Sequence, residues 1–196
     1  MGVTTHFLLW CLGLRQAETQ TTETERNALA SHCRGRKKVV EIGVWHGVTS
    51  NVLLGSMSEE GVFYAVDPYP TGRLGISLQQ IIAHRECRKH ARGRVRWIRE
   101  TGHASARVAE EEGWGLVDFV FIDGDHSYEG IKADWLAWGG LVSEGGIIGL
   151  HDSRSTPKRP IPEAGSVIYT NEVILSDARF EMLEQVDSLT LLRKRS

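Results

Sequence analysis

The sequence predicts a doubly wound α/β fold: a mostly parallel seven-stranded sheet with helices on both faces and an antiparallel C-terminal strand. Three features of its 196 residues predict this. Short apolar runs alternate with helix-length segments up to residue 150, and turn residues bound each run. Runs of that kind fit strands buried on both faces of a parallel sheet. Beyond residue 165 the alternation stops, and two strand-like runs flank Asp187-Ser188. Right-handed crossovers then bring the C-terminal ends of the parallel strands to one edge, where such folds bind ligands.

Taken in order, Phe7–Leu12 is an apolar stretch with no Lys or Arg before it and no clear signal-cleavage site after it. It is too short to span a bilayer, so it reads as a helix packed on the body or on a second subunit, which suggests a homodimer. Thr22–Cys33 is a polar helix with Ala28 and Leu29 facing inward. Residues 1–36 thus form an N-terminal helical segment, and 37–196 the domain proper. The parallel strands are expected at Val39–Gly43, Val62–Val66, Val95–Ile98, Val117–Ile122 and Gly146–Leu150. Helices are expected between them at Thr49–Met57, Ile76–His90, Ala104–Glu112 and Tyr128–Leu141. Trp135 and Trp138, three apart on the last of these, belong to the core. Ser153–Gly165 carries Pro157, Pro160 and Pro162 among basic residues and reads as a loop that can serve as a lid. Val167–Leu175 is balanced between helix and strand and is read as helix. Phe180–Val186 and Leu189–Arg193 complete the sheet.

An apolar content of 41% over this length suits one compact domain. The net charge of −2 lacks the basic excess of a nucleic-acid binder, and no Asn/Asp-Pro-Pro-Tyr/Phe motif is present. Cys11, Cys33 and Cys87 are far apart and form no CxxC pair, which fits reduced thiols in a cytoplasmic protein.

Two features point to a nucleoside. In VVEIGVWHGVTS a strand ends and a helix begins; Gly43 and Gly47 allow a tight turn and close approach of a ligand. The spacing is neither the G-x-G-x-x-G of dinucleotide binders nor a phosphate loop. Asp67 ends the second strand, where an acidic residue commonly accepts hydrogen bonds from ribose hydroxyls. Taken alone, each has a bland reading: a glycine-eased turn, and a turn aspartate before Pro68.

Glu41-Ile42-Gly43 with Gly47, followed by Val66-Asp67-Pro68-Tyr69, resembles the cofactor half of a class I S-adenosyl-L-methionine (SAM)-dependent methyltransferase, a Rossmann-like fold. IDGDHSYEG at 122–130, paired with GGIIGLHDS at 145–153, is similar to the methyltransferase family 24 proteins, relatives of small-molecule O-methyltransferases. The resemblance covers residues 37–153 well and the tail more loosely. It implies that Glu41, Gly43 and Gly47 lie against the methionine part of the cofactor and that Asp67 holds the ribose. It also implies that Gly102, His103 and Ala104 flank the adenine and that Asp123 borders the cofactor.

Asp123 follows the fourth strand and His151-Asp152 the fifth, so the three side chains can converge at the sheet edge. Two carboxylates and an imidazole can hold a divalent cation, which would make a bound hydroxyl easier to deprotonate. The resemblance makes Asp123, His151 and Asp152 the metal ligands, with Mg²⁺ the family default. His151 stands where many relatives carry Asp or Glu, and a nitrogen ligand admits Mn²⁺, Fe²⁺ or Zn²⁺ more readily. Asp125 and His126 compete for the role of general base. His126 has the better intrinsic pKa, whereas the resemblance favours Asp125. Tyr128 and Glu129 read as first-turn residues supporting the loop.

The implied activity is SAM-dependent, metal-assisted O-methylation of a small hydroxylated metabolite: a sugar, a phenol or a natural product. The alternatives are a nicotinamide-dependent oxidoreductase, which the glycine spacing opposes, and a non-catalytic cofactor-binding protein. The segments placed to choose the acceptor are Tyr69–Gly75, Arg154–Gly165 and the N-terminal helix.

Overall fold

The structure is a computed structural model that describes residues 2–72, 75–91 and 94–196. Seven strands form one sheet in the order β3-β2-β1-β4-β5-β7-β6. They are β1 Lys38–Ile42, β2 Val62–Val66, β3 Val95–Ile98, β4 Val117–Ile122, β5 Val142–Leu150, β6 Phe180–Val186 and β7 Leu189–Lys194. Strands β1 to β5 pair in parallel, and β7 runs antiparallel to both β5 and β6. The predicted fold class therefore holds.

Strand alternation builds two cores. Val40, Ile42, Val120, Ile122 and Ile148 face one layer, with Trp135 and Trp138. Val39, Phe63, Phe119 and Phe121 face the other, with Leu29, Leu53 and Leu54. Successive strand residues point to opposite faces, so the near-continuous apolar runs are explained by helices covering both sides.

The helices are α1 Val3–Cys11, α2 Glu23–Cys33, α3 Val48–Ser56, α4 Leu78–Ala91, α5 Gly102–Glu111, α6 Tyr128–Trp138 and α7 Gly165–Glu172. Most bounds fall within two residues of expectation. Helix α6 stops at Trp138 because Gly139 and Gly140 follow, which are weak helix formers. Strand β5 starts at Val142, four residues earlier than its apolar run. Its first part pairs irregularly with β4, around Gly145 at φ 71°. The ambiguous 167–175 segment is α7 followed by a short 3-10 turn, Ile174–Ser176.

The N-terminal segment packs on the rest of the chain. Trp10 on α1 donates from Nε1 to Glu86 on α4 at 3.3 Å and lies under Arg85. Leu8, Leu12 and Leu14 are exposed. Among the described residues, no helix is long and apolar enough to cross a membrane. Ala28, Leu29 and Cys33 of α2 are buried, and Thr22 with Glu25 forms a capping box at its start.

Candidate active site

The strand order reverses between β1 and β4, the switch point at which open α/β sheets bind ligands. Gly43, just past β1, sits at φ 88°, and a side chain there would collide with the Asp123 carbonyl at the end of β4. Glycine thus lets the two strand ends close together; the Asp123 N–H donates to the Ile42 carbonyl at 2.7 Å. Gly47 is the N-cap of α3 at φ 77°. Asp67 ties the turn down. Its Oδ2 accepts from the N–H groups of Val44 (3.1 Å) and Trp45 (2.9 Å), and its Oδ1 from Tyr69 (2.8 Å). A carboxylate has about four acceptor positions, so one remains for a hydroxyl. Glu41 lies beneath the turn, buried, accepting from Ser50 Oγ; burial holds its carboxyl well above the usual range.

Above these strand ends lies a cavity of about 630 Å³. Of the residues singled out in the sequence, Gly43, Asp67, Gly102, His103, Asp123, Asp125 and His126 line it, whereas Glu41, Gly47, Ala104, His151 and Asp152 do not. Asp134 also lines it and had no signal beyond an acid beside a core tryptophan. Its carboxylate lies so close to Gly102 that a side chain there would clash. Burial, partly offset by His103, pushes the Asp134 pKa up to about 6. Glu18, Thr19 and Gln20 form part of the wall. Of the 69–75 segment, Arg73 and Leu74 lie outside the described residues.

Behind the cavity is a chain of charges. His151 Nδ1 lies 2.7 Å from Asp123 Oδ1, and its Nε2 lies 3.5 Å from Glu25 Oε2. Burial acts to lower the His151 pKa, but the two carboxylates outweigh it and raise it to about 10. Burial acts to raise that of Glu25, yet His151 and the donors Thr22 and Ser188 bring it to about 2. Asp123 is also held below its ordinary range, its burial outweighed by His126 and His151. Both oxygens of Asp152 accept from the forked guanidinium of Arg159, Oδ1 from Nε and Oδ2 from Nη2. Sequence reasoning missed Glu25 and Arg159. The Thr22-x-x-Glu25 capping pattern was the only trace of the first, and the basic residues of the 153–165 loop of the second.

This donor set does not fit the expected metal. Arg159 occupies both oxygens of Asp152, and His151 Nδ1 is taken up by Asp123, while its Nε2 lies 3.5 Å from Glu25. Asp123, His126 and His151 do bring ligand atoms within 4.8 Å of one another, but a cation there would have to displace the His151–Asp123 bond. A second cluster, His6, Glu18 and His46, has the same spacing. Its two rings stack 4.9 Å apart at 15°, so their in-plane lone pairs do not converge, and His46 Nδ1 already accepts from the Glu18 N–H.

His126 and Asp125 differ in their surroundings. His126 Nε2 lies 3.4 Å from Asp123 Oδ1 and 4.0 Å from Asp152 Oδ2, and its carbonyl accepts from the Ser166 N–H. Asp125 is exposed, and its Oδ1 accepts from the Ser127 N–H at 2.9 Å, an Asx turn leading into α6.

The comparisons agree with this architecture. The family-24 model "Methyltransferase domain" matches residues 40–153, more than half of the chain. An O-methyltransferase from Bacillus cereus in complex with SAH superposes with a TM-score of 0.70 at 18% identity, covering 98% of this chain and 89% of its own. The O-methyltransferase TomG from Streptomyces achromogenes, involved in tomaymycin synthesis and solved with SAM, gives 0.71 at 13%, covering 99% and 89%. Cofactor-bound Rv0187 from MTB gives 0.74 at 15%, covering 99% and 90%. No curated protein matches the sequence. With the family model spanning β1 to the end of β5 and the glycine turn, Asp67 and Asp123 meeting at one cavity, the chain belongs to the methyltransferase-domain family and has the class I fold of SAM-dependent methyltransferases.

Proposed function

We propose that the protein is a SAM-dependent O-methyltransferase acting on a hydroxyl of a small metabolite, a sugar, phenol or natural product, with His126 as general base. The observation that carries this reading is the 3.4 Å approach of His126 Nε2 to Asp123 Oδ1 at the wall of the cavity. An N–H at Nε2 directed to the carboxylate leaves the Nδ1 lone pair to take a proton, as a carboxylate-oriented imidazole does. Asp125, committed to its turn, is the weaker candidate.

The cavity suits the cofactor. Gly43 leaves space where a side chain would intrude, the fourth acceptor position of Asp67 suits a ribose hydroxyl, and Asp134 beside Gly102 and His103 suits an exocyclic amine. When bound, SAM supplies a sulfonium methyl whose C–S electron pair returns to sulfur as the new C–O bond forms. The chain's task is to hold the acceptor oxygen in line and receive its proton on His126; alignment alone supplies much of such acceleration. The hydroxyl thus becomes an ether, and the positive charge leaves sulfur for the imidazole.

The test is SAH release from SAM across a panel of hydroxylated acceptors, with SAM binding measured by calorimetry. His126→Ala is expected to lower kcat by about 10²–10⁴-fold, the usual contribution of a general base, with SAM affinity unchanged. Asp123→Ala should also cut turnover sharply. Wild-type turnover by His126→Ala would overturn the assignment, and no release with any acceptor would overturn the activity.

A further inference from the structure

We propose that Arg159 is the fixed cation of the acceptor site, filling the place at the end of β5 that a divalent metal would otherwise take. Four observations carry it. First, the guanidinium meets Asp152 as a fork, Nε to Oδ1 and Nη2 to Oδ2, so neither oxygen is left in a free ligating position. Asp152 is 4% exposed, and its pairing with Arg159 satisfies a carboxylate that burial would otherwise penalise.

Second, Arg159 is held from three directions. Its backbone N–H and carbonyl pair with Thr156 at 3.1 and 3.0 Å, and the same N–H reaches Thr156 Oγ1. Its Nη2 also donates to Gln20 Oε1 at 3.1 Å. Gln20 belongs to the cavity wall, so the guanidinium joins β5, the 153–165 loop and the N-terminal segment at one point.

Third, it stands beside the proposed base. His126 Nε2 lies 4.0 Å from Asp152 Oδ2, the atom that Arg159 Nη2 holds. Among the described residues Nη1 has no hydrogen bond, and the side chain is 36% exposed, leaving two N–H groups for an incoming oxygen.

Fourth, the cavity lining itself supplies no permanent positive charge, and Arg159 reaches it from the rim through Gln20. Its described lining includes carboxylates such as Glu18, Asp67, Asp123 and Asp134, but no Lys or Arg. An acceptor oxygen giving its proton to His126 gains negative charge, and a preorganised guanidinium nearby favours that state. The catalytic half of this inference rests on the methyltransferase reading; the exclusion of a metal from Asp152 does not.

The experiment has two arms on the full-length protein. In the first, EDTA-treated and dialysed wild type and Asp152→Asn are titrated with Mn²⁺, and free Mn²⁺ is read by electron paramagnetic resonance. Both are expected to leave the signal alike. Depletion by the wild type that Asp152→Asn abolishes would overturn the proposal. In the second arm, SAH release is followed in EDTA. The wild type should turn over fully, Arg159→Met should lose about a hundredfold in kcat with SAM affinity within twofold, and Arg159→Lys should recover part of the loss. Wild-type turnover by Arg159→Met, or a wild-type rate abolished by EDTA and restored by Mn²⁺, would overturn it. If no acceptor releases SAH, the methyltransferase reading fails, and the Mn²⁺ arm still decides whether Asp152 is closed to a cation.

Discussion

At the scale of single residues, the site rests on a glycine and a buried histidine. Gly43 combines φ 88° with a collision between any Cβ and the Asp123 carbonyl. Gly43→Ala should therefore cost about 3 kcal/mol by urea denaturation, combining backbone strain with overpacking, and should weaken SAM binding measured in parallel. His151 links charge to pH. Its folded pKa of about 10 lies above the ordinary 6.5, so its contribution to stability is complete below about pH 6.5 and is lost as pH rises through 10. Glu25 acts in the opposite sense: its folded pKa of about 2 lies below 4.5, so its contribution is present above about pH 4.5 and disappears as pH falls through 2. The wild-type melting temperature should consequently fall more steeply between pH 7 and pH 10 than that of His151→Asn.

Among the elements, helix α2 does more than cover the sheet. Its N-cap Thr22 accepts from Glu25 N and donates to Asp187, while Glu25 reaches His151 and accepts from the Ser188 N–H and hydroxyl. One turn of helix thus ties the N-terminal segment, the β6–β7 hairpin and the end of β5 together. Removing Glu25 would leave His151 without one of the three carboxylates around it, Asp123, Glu25 and Asp152. Glu25→Ala should cost about 3 kcal/mol in denaturant titrations. Thr22→Ala should cost only about 1 kcal/mol, the usual value of an N-cap. Equal losses in the two variants would show that Glu25 acts as a cap alone. The elements themselves were largely legible in the sequence. Apolar runs such as 117–122 and the punctuation at Gly43 and Asp67 are local signals, and the structure returns them nearly unchanged. Where bounds moved, as at β5 and α7, neighbouring strands and packed backbones decided, and these lie far off in the chain.

For the whole molecule, the cavity is a joint product of β1, β2, β4, the loop after β3 and the N-terminal segment, so a ligand filling it should bind the folded chain alone. SAM at about 100 times its Kd should stabilise the protein by about 2.7 kcal/mol, read as a rise in melting temperature, whereas NADH at the same concentration should not. By itself the sequence determined the doubly wound sheet, the edge at which the site lies, and Gly43, Asp67, Asp123 and His126 as members of its wall. Each is encoded within a few residues, by hydrophobic periodicity or by a turn that only certain residues can make. Only the tertiary structure decided what surrounds the end of β5. His151 and Asp152 were readable as a pair after the fifth strand, and the family resemblance made them metal ligands together with Asp123. Their actual partners, Glu25 and Arg159, come from a helix cap and a proline-rich loop, and no local pattern specifies which buried charge a distant arginine will neutralise.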